Sequence, residues 1–245
     1  MTLTNPMGAT EPALALPHLL LLPGLDGTGK FLDPLVPHLD AKSSVTVVSY
    51  PPDPALGYEE LTDLAAASLP NGPAIVLGES YSGPIAAELA ARAPDRVVGV
   101  ILCSTFLRSP WPPLLIRGGA LGNPALVPNW LLEAVTIGRY GNSELAAKLR
   151  TITGTLGRRL IAARLNAVSR INVEATLSKL KCPILAMHGA NDRLVPSRRL
   201  AKVLAKMPNA TFKLLPGPHF LLETNPIAVA REIEQFRRRL ARKNT

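Results

Sequence analysis

The stretch Val76-Leu77-Gly78-Glu79-Ser80-Tyr81-Ser82-Gly83-Pro84-Ile85-Ala86 decides how this chain folds. An apolar run ends at Leu77, and a helical pattern carrying Ile85, Ala86 and Leu89 starts just past Ser80. A strand that breaks straight into a helix places the serine on a sharp, strained turn, with its hydroxyl lifted clear of the sheet. Such a turn is crowded and asks for small residues two positions before and two after the serine. Gly78 meets the first demand; Ser82 stands at the second, with Gly83 one place later. Ser82 is itself a poor rival nucleophile, because the residues two before and two after it are Ser80 and Pro84. The competing reading is an ordinary strand-to-helix turn with Ser80 near an N-cap.

Outward from this segment, short apolar runs alternate with helical periodicity. Runs at 18–22, 46–50, 74–77, 97–103, 183–188 and 211–215 are rich in Val, Ile and Leu and read as strands buried on both faces. Helical patterns at 31–39, 58–69, 81–92, 197–206 and 228–243 lie between or after them. This alternation predicts an α/β fold, with a mostly parallel central sheet flanked by helices. Residues 104–180 break the rhythm. They carry no convincing strand, only Pro-, Leu- and Arg-rich sequence with helical patches at 130–138, 143–153 and 158–169. The expected organisation is therefore a core of residues 1–103 and 181–245, with 104–180 as a helical cap insertion.

Only four histidines are present, so a base can be sought by elimination. His18 opens the first strand, His38 lies in an early helix, and His188 ends a strand beside Gly189. His219, in Pro216-Gly217-Pro218-His219-Phe220, occupies a rigid turn directly after the last strand. Asp192 follows the strand at 183–188 on the loop at its C-terminal end. Ser80, Asp192 and His219 thus arrive in the chain order expected of a strand-turn-helix serine nucleophile, each just past a strand. In such a set the histidine takes the serine proton during attack, and the aspartate fixes the imidazole tautomer.

The segment Gly24-Leu25-Asp26-Gly27-Thr28-Gly29-Lys30 also satisfies a phosphate-cradling pattern. Phe31 stands where that pattern needs a magnesium-binding Ser or Thr, which argues against nucleotide. The glycines instead let backbone N–H groups approach a developing oxyanion. The two donors would be Leu25, from this loop, and Tyr81, after the nucleophile.

Read together, LLPGLDGTG (21–29), GESYSG (78–83), HGANDRLVP (188–196) and GPHFLLETNP (217–226) resemble α/β-hydrolase fold proteins of the broad esterase and lipase-like group. The resemblance spans roughly 19–236 and is weakest over 104–180. It implies a Ser80–Asp192–His219 triad, Leu25 and Tyr81 at the oxyanion positions, and a cap over one sheet edge. Two departures stand out. Pro23-Gly24 replaces the His-Gly of many relatives, and the short segment before the first strand implies a missing or reduced antiparallel edge hairpin. A serine nucleophile also disfavours the dehalogenase and epoxide-hydrolase chemistry that an aspartate performs at that position. Thioesterase, acyltransferase and lactonase activity stay open, as does a non-catalytic binding module on the same frame.

Composition narrows the partners. The apolar insertion (Trp111, Leu114, Leu115, Ile116, Leu121, Leu126, Val127, Trp130, Leu131, Leu132, Val135 and Ile137) predicts a hydrophobic pocket for a small ester of short-to-medium acyl chain, with Trp111 and Trp130 as candidate substrate contacts. The net charge of +9 concentrates in 104–181, with eleven Lys/Arg against three Asp/Glu, and in 231–245, with six against two. Without interleaved aromatics this reads as a solvated basic face, not a nucleic-acid site. No cofactor or metal is implied. The first 29 residues lack Lys and Arg, and no run of about 20 apolar residues occurs, so neither an export signal nor a membrane span is expected and the cytoplasm is the expected location. Cys103 and Cys182 fall at opposite ends of neighbouring strands and are expected to be free, buried thiols.

Overall fold

Six of the apolar runs pair as a parallel sheet: β1 (His18–Leu22), β2 (Val45–Val47), β3 (Ala74–Glu79), β4 (Val97–Cys103), β5 (Ile184–Gly189) and β6 (Ala210–Leu215). Their order is β2-β1-β3-β4-β5-β6, with every neighbouring pair parallel. The computed structural model describes residues 16–40, 44–112 and 128–242.

Side-chain alternation along the strands supplies two cores. Leu20, Leu22, Val76, Val100, Leu102 and Ala186 face one side, against α1 (Tyr58–Ala67), α2 (Gly83–Arg92) and later helices. Leu19, Leu21, Ile75, Leu77, Ile101 and Met187 face the other, against Val229, Ile233 and Phe236 of the C-terminal helix. The chain order reverses between β1 and β3, and in open α/β sheets the crevice outside the strand ends at such a switch point is where ligands bind. The segments after β1 and β3 both open there.

Between β4 and β5 the described residues form helices and no strand: α3 (Asn129–Thr136), α4 (Ser143–Thr155), α5 (Arg158–Arg170) and α6 (Glu174–Lys179). One isolated antiparallel bridge joins Arg108 to Asn172. Leu114, Leu115, Ile116, Leu121, Leu126 and Val127 lie outside the described residues. Three further helices follow: α7 (Arg198–Leu204), α8 (Leu221–Thr224) and α9 (Pro226–Ala241).

Several expectations need correction. The helix expected at 31–39 is two short 3₁₀ turns, Lys30–Leu32 and Val36–His38. Pro34 and Pro37 supply no N–H and disfavour helix in the residue before each. The edge strands β2 and β6 are only half-buried, with Val47 and Leu214 exposed, because each lacks a neighbour on one side. Both cysteines are free, but Cys182 is half-buried and only Cys103 is enclosed. The basic segments are not wholly solvated either, since Arg164 and Arg237 are among the largest fully buried side chains. Arg237 donates from Nε and Nη2 to the Pro17 carbonyl, at 3.2 and 2.7 Å, and pairs with Glu234 at 2.9 Å. Among the described residues, no helix is long and apolar enough to cross a membrane.

The packing of α9 on β4 is close enough that Gly99 has no room for a Cβ beside Leu240 and Phe236. Phe236→Ala should therefore lower unfolding free energy by about 3–5 kcal/mol in urea titrations. Trp130→Ala, at a side chain that is 69% exposed, should stay within about 0.5 kcal/mol of the parent.

Candidate active site

Ser80 sits directly after β3 with φ 47°, a left-handed backbone that a non-glycine residue rarely adopts. Crowding holds it there. A Cβ on Gly78 would run into the Ser82 carbonyl, and one on Gly83 into the Thr105 side chain. Thr105 also donates its hydroxyl to the Ser80 carbonyl. Glycine is thus demanded at 78 and at 83, one place later than the usual pattern, and this accommodates Ser82. After a single 3₁₀ turn, Ser80–Ser82, the chain enters α2 with Pro84 in the first helical turn, where its missing N–H leaves no hydrogen bond unmade.

The structure brings the three residues singled out from sequence into one hydrogen-bonded line. Ser80 Oγ lies 2.9 Å from His219 Nε2, and His219 Nδ1 lies 2.8 Å from Asp192 Oδ2. A carboxylate only accepts, so Nδ1 carries the proton and Nε2 accepts from the serine hydroxyl. The loops after β5 and β6 are tied together to make this possible. Ala190 N–H donates to the Leu215 carbonyl and Asn191 N–H to the Gly217 carbonyl, at 2.8 and 2.9 Å. Phe220 packs edge-on against both His219 and Phe31, and its N–H reaches the Thr136 carbonyl at the end of α3.

Asp192 is almost fully enclosed and has every acceptor position filled. Leu194 and Val195 N–H groups donate to Oδ1 at 2.9 and 2.8 Å, and His188 Nε2 joins His219 on Oδ2, at 3.0 Å. Burial alone would raise this carboxyl, but the His219 charge and the hydrogen bonds from His188, His219 and Val195 outweigh it and hold the carboxyl well below the usual range. His188, set aside in the sequence as a strand-end histidine, is therefore part of the site. Its Nε2 faces two acceptors, Asp192 Oδ2 and the Val195 carbonyl at 2.8 Å, so that nitrogen carries the hydrogen. Its place four residues before Asp192, next to last in β5, was the only signal available.

Around Ser80 the structure adds groups that sequence reasoning missed. Ser82 donates its hydroxyl to the Pro23 carbonyl, bridging the turn to the loop after β1, and accepts from Tyr50 at 2.8 Å. Glu79 is buried beside Gly24, and burial, with the charges of Asp26 and Glu223, pushes its carboxyl well above the usual range. Leu25 lies in the turn that this loop makes, and Tyr81 follows Ser80 fully buried, its phenol pushed up to about 12 by burial. Arg164 of α5 reaches the same loop.

The two tryptophans stand elsewhere. Trp111 is half-buried and donates its indole N–H to the Leu194 carbonyl at 3.1 Å, bracing the Asp192 loop. Trp130 lines an open cleft of about 820 Å³ with Tyr140, Arg139, Asn191, Arg193 and Pro218; the chain neighbours of Asp192 and His219 line it, but Ser80, Asp192 and His219 themselves do not. Among the described residues, no group of His, Cys, Asp and Glu is arranged to hold a metal ion.

The depressed Asp192 carboxyl has a consequence for stability. A carboxylate held below its unfolded value stabilises the fold above that value, about 3.9, and loses this contribution as pH falls further. Urea midpoints of the parent should fall from about pH 4 downward, and Asp192→Asn should show a shallower decline over the same range. An identical slope in the two proteins would contradict the assigned environment.

Comparison with known proteins agrees with this architecture. A family profile described as "Serine aminopeptidase, S33" matches residues 57–221, more than half of the chain. A pimeloyl-[acyl-carrier protein] methyl ester esterase of Aromatoleum aromaticum is 26% identical over 79% of this chain and 87% of its own length. The monoglyceride lipase of Homo sapiens is 31% identical over 62% of this chain and 53% of its own. Among solved structures, the enol-lactonase of Burkholderia xenovorans LB400 superposes with a TM-score of 0.75 at 22% identity, covering 91% of each chain. With its parallel sheet and flanking helices, the chain has the α/β-hydrolase fold and belongs to the Serine aminopeptidase, S33 family of hydrolases.

Proposed function

We propose that this chain is a serine esterase, cleaving small hydrophobic carboxylic esters of short-to-medium acyl chain through an acyl-enzyme on Ser80. The observation that carries the reading is the continuous line from Ser80 Oγ through the His219 ring to Asp192, with hydrogen bonds of 2.9 and 2.8 Å. Ser80 Oγ attacks the ester carbonyl while its proton passes to His219 Nε2. The charge that forms on the ring is balanced by Asp192, whose carboxylate is fixed by four donors. The tetrahedral oxyanion is received by the N–H groups of Leu25 and Tyr81. His219 then protonates the leaving alcohol, and water repeats the sequence to release the acid. No step calls for a metal or a cofactor.

The helices between β4 and β5 act as the cap in this reading, with 104–180 as its extent. Trp130 and Trp111 are assigned to the substrate side of the site. The cleft beside Pro218 and Asn191 offers Trp130 a place against the alkyl part of an ester, while Trp111 acts through the Asp192 loop. The relatives named above as a methyl ester esterase, a monoglyceride lipase and an enol-lactonase support acyl–oxygen chemistry as the class. The cytoplasm is the compartment in this reading.

A panel of p-nitrophenyl esters from acetyl to palmitoyl tests both halves of the proposal. Turnover should peak at octanoyl or shorter, and Ser80→Ala should lower kcat by about 10⁴–10⁶. Undiminished turnover by Ser80→Ala would overturn the nucleophile, and a peak at palmitoyl would overturn the acyl preference.

A further inference from the structure

Every peptide plane of the loop Pro23–Thr28 carries a hydrogen bond, yet the Leu25 N–H is left unused. The Pro23 carbonyl accepts from Ser82 Oγ, and the Gly24 carbonyl from Gly27 N–H at 3.0 Å. The Leu25 carbonyl accepts from Arg164 Nη1 at 2.6 Å, the Gly27 carbonyl from Tyr50 N–H at 2.7 Å, and Asp26 from Thr28 N–H at 2.8 Å. The peptide unit joining Gly24 to Leu25 has its carbonyl fixed toward Gly27, and a trans peptide sends its N–H the opposite way. Among the described residues, no acceptor is bonded to the Leu25 N–H. The Leu25 N–H is thus fixed in direction and unused among the described residues.

Arg164 does not belong to the sheet core that carries Ser80, His219 and Asp192. It projects from α5, in the helical segment between β4 and β5, along the buried face shared with Leu160 and Val168. Its side chain is 2% exposed and makes no ion pair among the described residues; instead it also donates from Nη2 to the Pro51 carbonyl at 3.1 Å. Its Nε finds no partner. A buried guanidinium satisfied only by two backbone carbonyls is a poor stability device, because desolvating the cation costs several kcal/mol. Gly27 makes way for it: with φ 72°, a Cβ there would stand 2.6 Å from Arg164 Nη1.

We infer that Arg164 is a positioning residue for catalysis, which clamps the Leu25 carbonyl so that the Leu25 N–H faces the oxyanion, and that the helical insertion thereby completes the site. Ser82 provides the matching anchor at Pro23. The two anchors bracket the donor peptide on either side, one from the nucleophile turn and one from the insertion. This inference rests on the esterase reading above.

Steady-state kinetics on p-nitrophenyl butyrate, with inhibition by an alkyl trifluoromethyl ketone that forms an oxyanion on the serine, tests the clamp. Arg164→Gln should lower kcat by about 10²-fold with KM little changed, and weaken the ketone by a similar factor. Arg164→Lys, which keeps one donor, should recover part of both losses. Leu160→Ala, on the same buried face, should lower the unfolding midpoint yet leave kcat per folded enzyme unchanged. Folded Arg164→Gln with parental kcat and ketone affinity would overturn the clamp, as would a loss that merely tracks the folded fraction. Should Arg164→Gln fail to fold, Ser82→Gly reads the other anchor, with the same fall in kcat at constant KM expected and parental kcat contradicting it. Loss of turnover in Ser80→Ala keeps the esterase reading standing whatever Arg164 does; persistence of turnover there removes the reading itself.

Discussion

The left-handed backbone of Ser80 is the constraint on which the site depends. Holding a non-glycine residue at φ 47° costs about 1–3 kcal/mol, so the surroundings must over-determine it. They do so through the ends of two adjacent strands. Thr105, just past β4, donates to the Ser80 carbonyl and presses against Gly83. Its neighbour Ser104 is itself left-handed, with φ 46°, and its N–H is held by the Met187 carbonyl of β5. A relaxed Ser80 would swing its hydroxyl away from His219 and release the start of α2. Strain in one residue is thus supported by three strands.

Parallel pairing then dictates where the partners can come from. With all strands running one way, the loops after β1, β3, β5 and β6 open on the same edge of the sheet. Neighbouring strands lie about 4.8 Å apart, so β6 starts roughly 14 Å from β3. His219 closes that gap because the Gly217-Pro218 turn folds back and is tied to the Asp192 loop through Asn191. Asp192 comes from β5, one strand nearer, and a second histidine from that strand meets the same Oδ2 that His219 uses. The site is a product of strand order as much as of the residues that meet there.

The sequence made the repeating parts of this arrangement legible. Four strands with near-continuous Val, Ile and Leu are buried on both faces, and the amphipathic α9 places Val229, Ile233, Phe236 and Leu240 against the sheet. Gly78, Asp192 and His219 were readable because turn chemistry and chain order restrict them strongly. The elements that escaped were too short for periodicity, such as α6 and α8, or were interrupted by proline, such as the segment from Lys30 to His38. Contacts between distant segments escaped for a different reason. Nothing local to Ser82 shows that its hydroxyl reaches Pro23, and nothing local to His188 shows that it joins His219 on Asp192. Arg164 left one trace: a cation on the same helical face as Leu160 and Val168, both buried. Composition alone assigned it to the solvated basic surface.

Charged groups from the sheet loops and from the helices between β4 and β5 meet at the loop after β1. Glu79 and Glu223 add acidic groups near Asp26 of the loop after β1, and Lys148 of α4 pairs with Glu223 at 2.5 Å. Arg164 of α5 brings a second cation to the same loop, at the Leu25 carbonyl. The most direct measurement of the central claim is peptide mapping by mass spectrometry after reaction with an alkyl fluorophosphonate. A single adduct on Ser80 is expected, formed only while His219 is intact. An adduct on Ser82 or another residue, or an unmodified Ser80 in the folded protein, would contradict it.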